Sequence, residues 1–142
     1  MSPTGSKLGS AKVYPVLAVD DLDRAVSFYR DKLGLKVEKD DSGPGYALVE
    51  AGEGSHVLLY KTSYPRGENT VAAFEIEDVE GAVEELRQRG VRFEEYDFPG
   101  LKTVNGVATE PGGLKSAWLK DTEGNTIAIS QPATANFKRR AA

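Results

Sequence analysis

Apolar positions along this chain follow two periods, and the order in which those periods alternate occurs twice. Over residues 12–19 the apolar positions alternate as they do in a strand. Leu22, Ala25, Val26, Tyr29 and Leu33 then take the i, i+3, i+4, i+7, i+11 spacing of one buried helical face. Asp20 or Asp21 is placed to cap that helix, and Gly34 is placed to end it. Strands are predicted next at 35–39, 46–50 and 56–61, divided by the turn residues of 41–45 and 52–54. The second series opens with a strand at 71–76. Its helix buries Val79, Ala82, Val83 and Leu86, carries acids in its first turn and Arg87 and Arg89 at its end, and stops at Gly90. Strands at 92–95, 116–120 and 125–130 complete it, so both series read βαβββ.

The repeat is visible residue by residue. Val19-Asp20-Asp21-Leu22 returns 57 positions on as Ile76-Glu77-Asp78-Val79. Glu53-Gly54-Ser55-His56-Val57-Leu58 returns 70 positions on as Glu123-Gly124-Asn125-Thr126-Ile127-Ala128. The copies differ between their second and third strands. Copy one has a short turn there. Copy two has the segment 97–115, with Phe98-Pro99-Gly100, Asn105-Gly106 and Pro111-Gly112-Gly113. A connection of that length is either a lid over a pocket or a packing or dimer contact.

The organisation that follows is an arm or expression remnant at 1–10, a single domain at 11–131 and a tail at 132–142. Within the domain, module one covers 11–63, a linker 64–69 and module two 70–131. Arg66 in the linker and the basic run Lys138-Arg139-Arg140 are expected to be solvated. The net charge of −4 argues against a nucleic-acid partner, which needs a basic face. The absence of cysteine excludes disulfides, thiolate metal sites and cysteine nucleophiles. No stretch reaches the roughly 20 apolar residues of a membrane span, and no leader is visible, so no membrane partner and a cytoplasmic location are expected.

This order of elements resembles the vicinal oxygen chelate superfamily, which includes glyoxalase I, extradiol dioxygenases and bleomycin-resistance proteins. Val19-Asp20-Asp21-Leu22 running into Ser27-Phe28-Tyr29 and Leu33-Gly34-Leu35 carries the resemblance. So does Trp118-Leu119-Lys120-Asp121-Thr122-Glu123-Gly124-Asn125, which is similar to the family's Asp-Pro-(Asp/Glu)-Gly-Asn turn with Thr122 where proline is usual. The match spans about 13–131. It implies an α+β fold: two tandem βαβββ modules forming a curved mixed sheet around a central cavity, with the helices on the outer face. It also implies a homodimer.

In metal-dependent members, each module supplies one ligand from its first strand and one from its last. Carried over, those positions are Tyr14, Leu58, Val71 and Ala128. Three of the four carry no lone-pair donor, and shifting the alignment by one residue adds only Thr70. The expectation is therefore no metal and no cofactor, because a catalytic zinc generally takes three protein ligands. Strand alternation places Val16, Ala18, His56, Tyr60, Ala73, Glu75, Thr126 and Ser130 on the same face. The expected ligand site comprises Tyr14, His56, Leu58, Tyr60, Val71, Glu75, Trp118 and Ala128, mostly apolar with a few polar groups. Two functions are open: a metal-free protein that binds a small aromatic or amphipathic molecule, or a lyase, isomerase or dioxygenase-type enzyme. The enzyme would use His56 or Glu75, or a non-standard metal site. A third is a member whose pocket is filled and which acts through an interface.

Overall fold

Each module builds its own four-stranded mixed sheet. The computed structural model describes residues 6–40 and 45–132. Module one contains β1 (Val16–Val19), α1 (Leu22–Ser27), β2 (Lys36–Asp40), β3 (Tyr46–Glu50) and β4 (His56–Lys61). Module two contains β5 (Thr70–Glu75), α2 (Val79–Gln88), β6 (Asp97–Phe98), β7 (Leu101–Lys102), β8 (Ala108–Thr109), β9 (Lys115–Lys120) and β10 (Thr126–Gln131). The sheet orders are β1-β4-β3-β2 and β5-β10-β9-β8, with β6 and β7 forming a separate hairpin. In both sheets the first strand runs parallel to the last. The expected arm over 1–5, the turn at 41–44 and the basic run at 138–140 lie outside the described residues. Lys7–Ser10, also assigned to the arm, forms an exposed 3-10 turn.

Alternation decides which face of each sheet is covered. Leu17 and Val19 of β1, Ala47 and Val49 of β3, and Val57 and Leu59 of β4 are buried against Leu22, Ala25, Val26 and Tyr29. The same core takes Ala72, Val91, Leu119 and Ile127 from module two. Val79, Val83, Val107, Ala117 and Ile129 form a second cluster under α2. The helices thus cover one face of each sheet, and the even-numbered residues of β1 and β4 turn away from them. α1 is capped by the Asp21 carboxylate and continues into a π-helical turn, Phe28–Lys32. Gly34 ends it at φ +74, where a Cβ would also meet the Arg89 guanidinium at 3.2 Å.

Two of the expected strands differ in the structure. β1 begins at Val16, not at residue 12. Pro15 accepts the last rung through its carbonyl from the Leu58 amide and has no N–H to extend the ladder, so Tyr14 lies ahead of the strand. Residues 92–95 form no strand. Phe93 alone bridges to Leu119, after which the chain leaves the sheet and returns to the outer edge of β9 as β8. The 97–115 segment holds β6, β7 and β8.

One turn joins the modules. The Glu123 side chain, fully buried, accepts from the Asp20 and Asp21 amides at 2.9 Å each and from Arg24 Nε at 2.7 Å. Asp121 accepts the Glu123 and Asn125 amides on one oxygen and the Tyr29 hydroxyl, at 2.7 Å, on the other. Asn125 Nδ2 donates to the Ala18 carbonyl at 2.9 Å. Thr122, at the family's proline position, donates its hydroxyl to Glu123 at 2.8 Å. Arg66 is not solvated as expected. It donates to the Glu123 carbonyl and pairs with Asp20 at 2.5 Å, with its side chain 11% exposed.

Burial alone would raise the pKa of Glu123. The hydrogen bonds from Arg24, the Asp21 amide, Thr122 and the Asp20 amide outweigh it and hold the carboxyl at about 2, below its usual 4.5. Burial, reinforced by Asp121, pushes the Tyr29 phenol up, which keeps it a donor.

Removing Glu123 leaves two amides and a guanidinium without their acceptor, so Glu123→Ala is expected to lower stability by about 2–4 kcal/mol in urea unfolding. Tyr29→Phe should cost about 1 kcal/mol. The Glu123 contribution is present above pH 4.5 and is lost as pH falls toward 2, because the unfolded chain takes up the proton first. The difference in urea midpoint between the parent and Glu123→Gln should therefore shrink as pH drops from 7 to 3. A difference that is constant with pH would contradict this assignment.

Candidate functional site

The faces turned away from the helices carry the residues singled out in the sequence. In module one, Leu58 pairs with Val16, and Tyr60 pairs with Ala18 and Tyr46. Tyr14, ahead of β1, lays its ring on the His56 imidazole with centroids 4.4 Å apart. Val16 is 51% exposed and Tyr14 43%, so this face is open in the single chain. In module two, Ala128 pairs with Ala73 on one side and with Trp118 on the other. Val71 falls where the β5–β10 register shifts, between Thr70 and Ala72, and has no cross-strand partner.

The two module faces differ in cover. Ala128 and Thr126 are buried, whereas their counterparts Leu58 and His56 are half-buried. Lys120 Nζ donates to Thr126 Oγ1, and Trp118, the cross-strand neighbour of Ala128, is met by Tyr96 from the segment between Phe93 and β8. Tyr96 stands edge-on to Trp118 at 5.5 Å and to Phe98 at 6.0 Å. A small polar knot closes the base of this insert. The Glu95 carboxylate accepts from the Thr103 hydroxyl at 2.5 Å and the Gly106 amide at 3.1 Å, and Thr103 Oγ1 accepts the Tyr96 amide at 2.8 Å. Arg87 of α2 holds the far side by donating to the Asn105 carbonyl. Burial raises the pKa of the Tyr96 phenol, and Glu94 and Glu68 add to the shift. Tyr96 was missed in the sequence. The signal available was the Tyr96-x-Phe98 spacing, which puts two rings on one side of an extended chain.

His56 and Glu75 come together. Both line one cavity of about 350 Å³ at the seam, with Pro15, Ala51–Glu53, Ser55, Val57 and Ala72–Phe74. Module one gives the turn and the imidazole, and module two gives the strand β5 that ends in the carboxylate. Glu53 and Ser55, on the rim, were also not singled out as site residues. Tyr14 touches His56 but does not itself line this cavity. Leu58, Tyr60, Val71, Trp118 and Ala128 lie on the sheet faces to either side.

The chemistry of these positions does not suit a divalent metal. Leu58, Val71 and Ala128 have no donor atom, and Tyr14 has only a phenol. Among the described residues, no group of three or more His, Cys, Asp or Glu side chains is placed to hold a metal ion. Nor, among those residues, is any helix long and apolar enough to cross a membrane.

The chain was compared with known proteins. The Glyoxalase/Bleomycin resistance protein/Dioxygenase superfamily model matches residues 13–129. Lactoylglutathione lyase of Haemophilus influenzae is 27% identical over an alignment of 123 positions that covers 77% of this chain and 91% of that protein. A superfamily member of known structure from Sphaerobacter thermophilus aligns with TM-score 0.67 at 22% identity, over 86% of this chain and 98% of its own. TnmS3, an antibiotic binding protein from a Streptomyces species, aligns with TM-score 0.57 at 20% identity, over 87% and 98%. At such identities the two structures speak for the fold.

Thr103→Val removes both hydroxyl bonds of the knot while keeping the shape of the side chain. It should release Tyr96 from Trp118, seen as a red-shifted emission of the single tryptophan and faster quenching by acrylamide. Unchanged emission would mean that the insert is held over Trp118 by other contacts.

Proposed function

We propose that this chain, which belongs to the glyoxalase/bleomycin resistance protein/dioxygenase superfamily, binds a small aromatic or amphipathic molecule without a metal. The observation that carries this reading is the replacement of donor atoms by hydrocarbon. Where the superfamily places metal ligands, Leu58 sits beside Val16 and Ala128 beside Ala73. Around them stand the rings of Tyr14, Tyr60 and Trp118. Apolar walls with a few polar groups select for shape and stacking rather than for coordination. The ligand would lie across the faces carrying Tyr14, His56, Leu58 and Tyr60 in module one and Val71, Glu75, Trp118 and Ala128 in module two. The insert bearing Tyr96 and Phe98 would close over the Trp118 side. That Val16, Tyr14 and Val71 are left exposed supports a homodimer, in which a second copy covers them. The antibiotic-binding neighbour is in keeping with this reading.

A second reading is favoured by one observation: His56 and Glu75, an imidazole and a carboxylate, share a cavity. With the likeness to a lactoylglutathione lyase, this supports an enzyme of the lyase or isomerase kind that moves a proton with these two groups. It predicts turnover that is lost in both His56→Ala and Glu75→Ala. Turnover by either variant at the parent's rate would remove it.

The binding reading is tested with naphthalene- and quinoline-based probes, followed by the emission of Trp118. Saturable quenching is expected, weakened about tenfold in Tyr60→Ala and in Leu58→Glu, as the loss of an aromatic or apolar contact implies. No response from any probe at millimolar concentration, or a response indifferent to both substitutions, would overturn it.

A further inference from the structure

The seam cavity exists because one of two equivalent turns lost the residues that fill the other. Seventy positions before the joining turn, Ala51 stands for Asp121, Glu53 for Glu123 and Ser55 for Asn125. Fifty-seven positions after Tyr29, Leu86 stands in its place on α2. In the joining turn the Asp121 carboxylate and the Asn125 carboxamide occupy the space under the turn, bonded to the Tyr29 hydroxyl and the Ala18 carbonyl. The module-one turn has a methyl and a short hydroxyl there, and the Ser55 hydroxyl is turned back onto the Gly52 carbonyl. The space under it, beside the end of β5, is left open. α2 is capped by the Asp78 carboxylate, which accepts the Gly81 amide at 3.0 Å, and Gln131 Oε1 accepts the Val79 amide at 3.0 Å. Glu53, the counterpart of Glu123, is exposed.

The lining of the cavity thus includes two exposed carboxylates, Glu53 and Glu75, with His56 and the apolar Val57, Ala72 and Phe74. Neither carboxylate has an ion-pair partner among the described residues. In the joining turn two guanidiniums, Arg24 and Arg66, serve the Glu123 side chain, the Glu123 carbonyl and Asp20. The open turn has no such cation. Two carboxylates beside apolar side chains offer charge and hydrophobic contact to the same ligand.

We propose that this cavity takes a small organic cation, an amidinium or alkylammonium on a compact apolar body. Glu53 and Glu75 meet the charge, and Val57, Ala72 and Phe74 meet the body. This deepens the small-molecule reading above and rests on it. The chain has one histidine, so the imidazole Cε1 proton of His56 gives a single, assignable NMR signal. The probes are benzamidinium, its neutral analogue benzamide and its anionic analogue benzoate, each titrated at pH 8. The expected result is a saturable shift of the His56 signal with benzamidinium, at least tenfold tighter than with benzamide, and none with benzoate. Glu75→Gln should weaken benzamidinium by about fivefold, the scale of one partly exposed ion pair, and Glu53→Gln similarly. Ala73→Leu, which adds bulk to the lining from an exposed strand position, should abolish the shift without changing the thermal midpoint. Equal affinity for benzamidinium and benzamide, with no effect of either glutamine substitution, would overturn the cation assignment while leaving small-molecule binding intact. No shift from any probe would overturn it outright. Quenching of Trp118 by aromatic probes in the same sample would then show that binding on the sheet face survives independently.

Discussion

Much of the molecule depends on where a few buried acceptors sit. The turn between β9 and β10 carries Asp121 and Glu123, and their carboxylates take the free amides at the entrance of α1, the guanidinium of Arg24 and the phenol of Tyr29. These bonds cross from one module to the other and tie the β9–β10 turn to the start of α1. A buried carboxylate is costly unless it is fully bonded. Here it is fully bonded, which ties the register of the modules to the ionisation of one side chain. The shared apolar core of Leu17, Leu59, Ala72, Leu119 and Ile127 supplies non-directional adhesion. The polar turn adds direction.

The duplicated architecture is symmetric in outline and asymmetric wherever chemistry is concerned. One inter-module turn is filled and the other is hollow. One sheet face is open, and the other lies under the insert that begins at Tyr96. These differences come from a handful of substitutions on a common backbone plan: Ala51 for Asp121, Ser55 for Asn125, Leu86 for Tyr29, and the extra segment before β8. Duplication supplied two equivalent seams. Divergence kept one as a joint and left the other as space.

The elements set by periodicity were legible. The helical faces of Leu22, Ala25 and Val26 and of Val79 and Val83, the strands at 46–50 and 56–61, and both glycine stops can be read from spacing alone. The 57- and 70-residue shifts locate the insert because their difference must lie between the two matched segments. What could not be read was governed by long-range hydrogen bonds. Nothing local to Glu95 shows that its carboxylate will take Thr103 and Gly106 and draw the chain out of the sheet. Nothing local to Arg66 shows that it will dock on the Glu123 carbonyl across the seam. Pro15 is a legible stop for β1, since a residue without an amide hydrogen marks where a ladder ends. For the site, alternation placed the face-sharing residues, but the contact between Tyr96 and Trp118 depends on the path of the insert.

The reading of this chain as a metal-independent binding protein rests on the missing donors at Leu58, Val71 and Ala128. The most direct test is the metal content of the purified protein by inductively coupled plasma mass spectrometry. It is paired with thermal midpoints in the presence of Zn(II), Ni(II), Mn(II), Co(II) and Fe(II). The account predicts far less than one metal per chain and no shift in midpoint with any ion. A stoichiometric metal with a matching rise in midpoint would contradict it, and would bring Tyr14, His56 and Glu75 forward as the donors to examine.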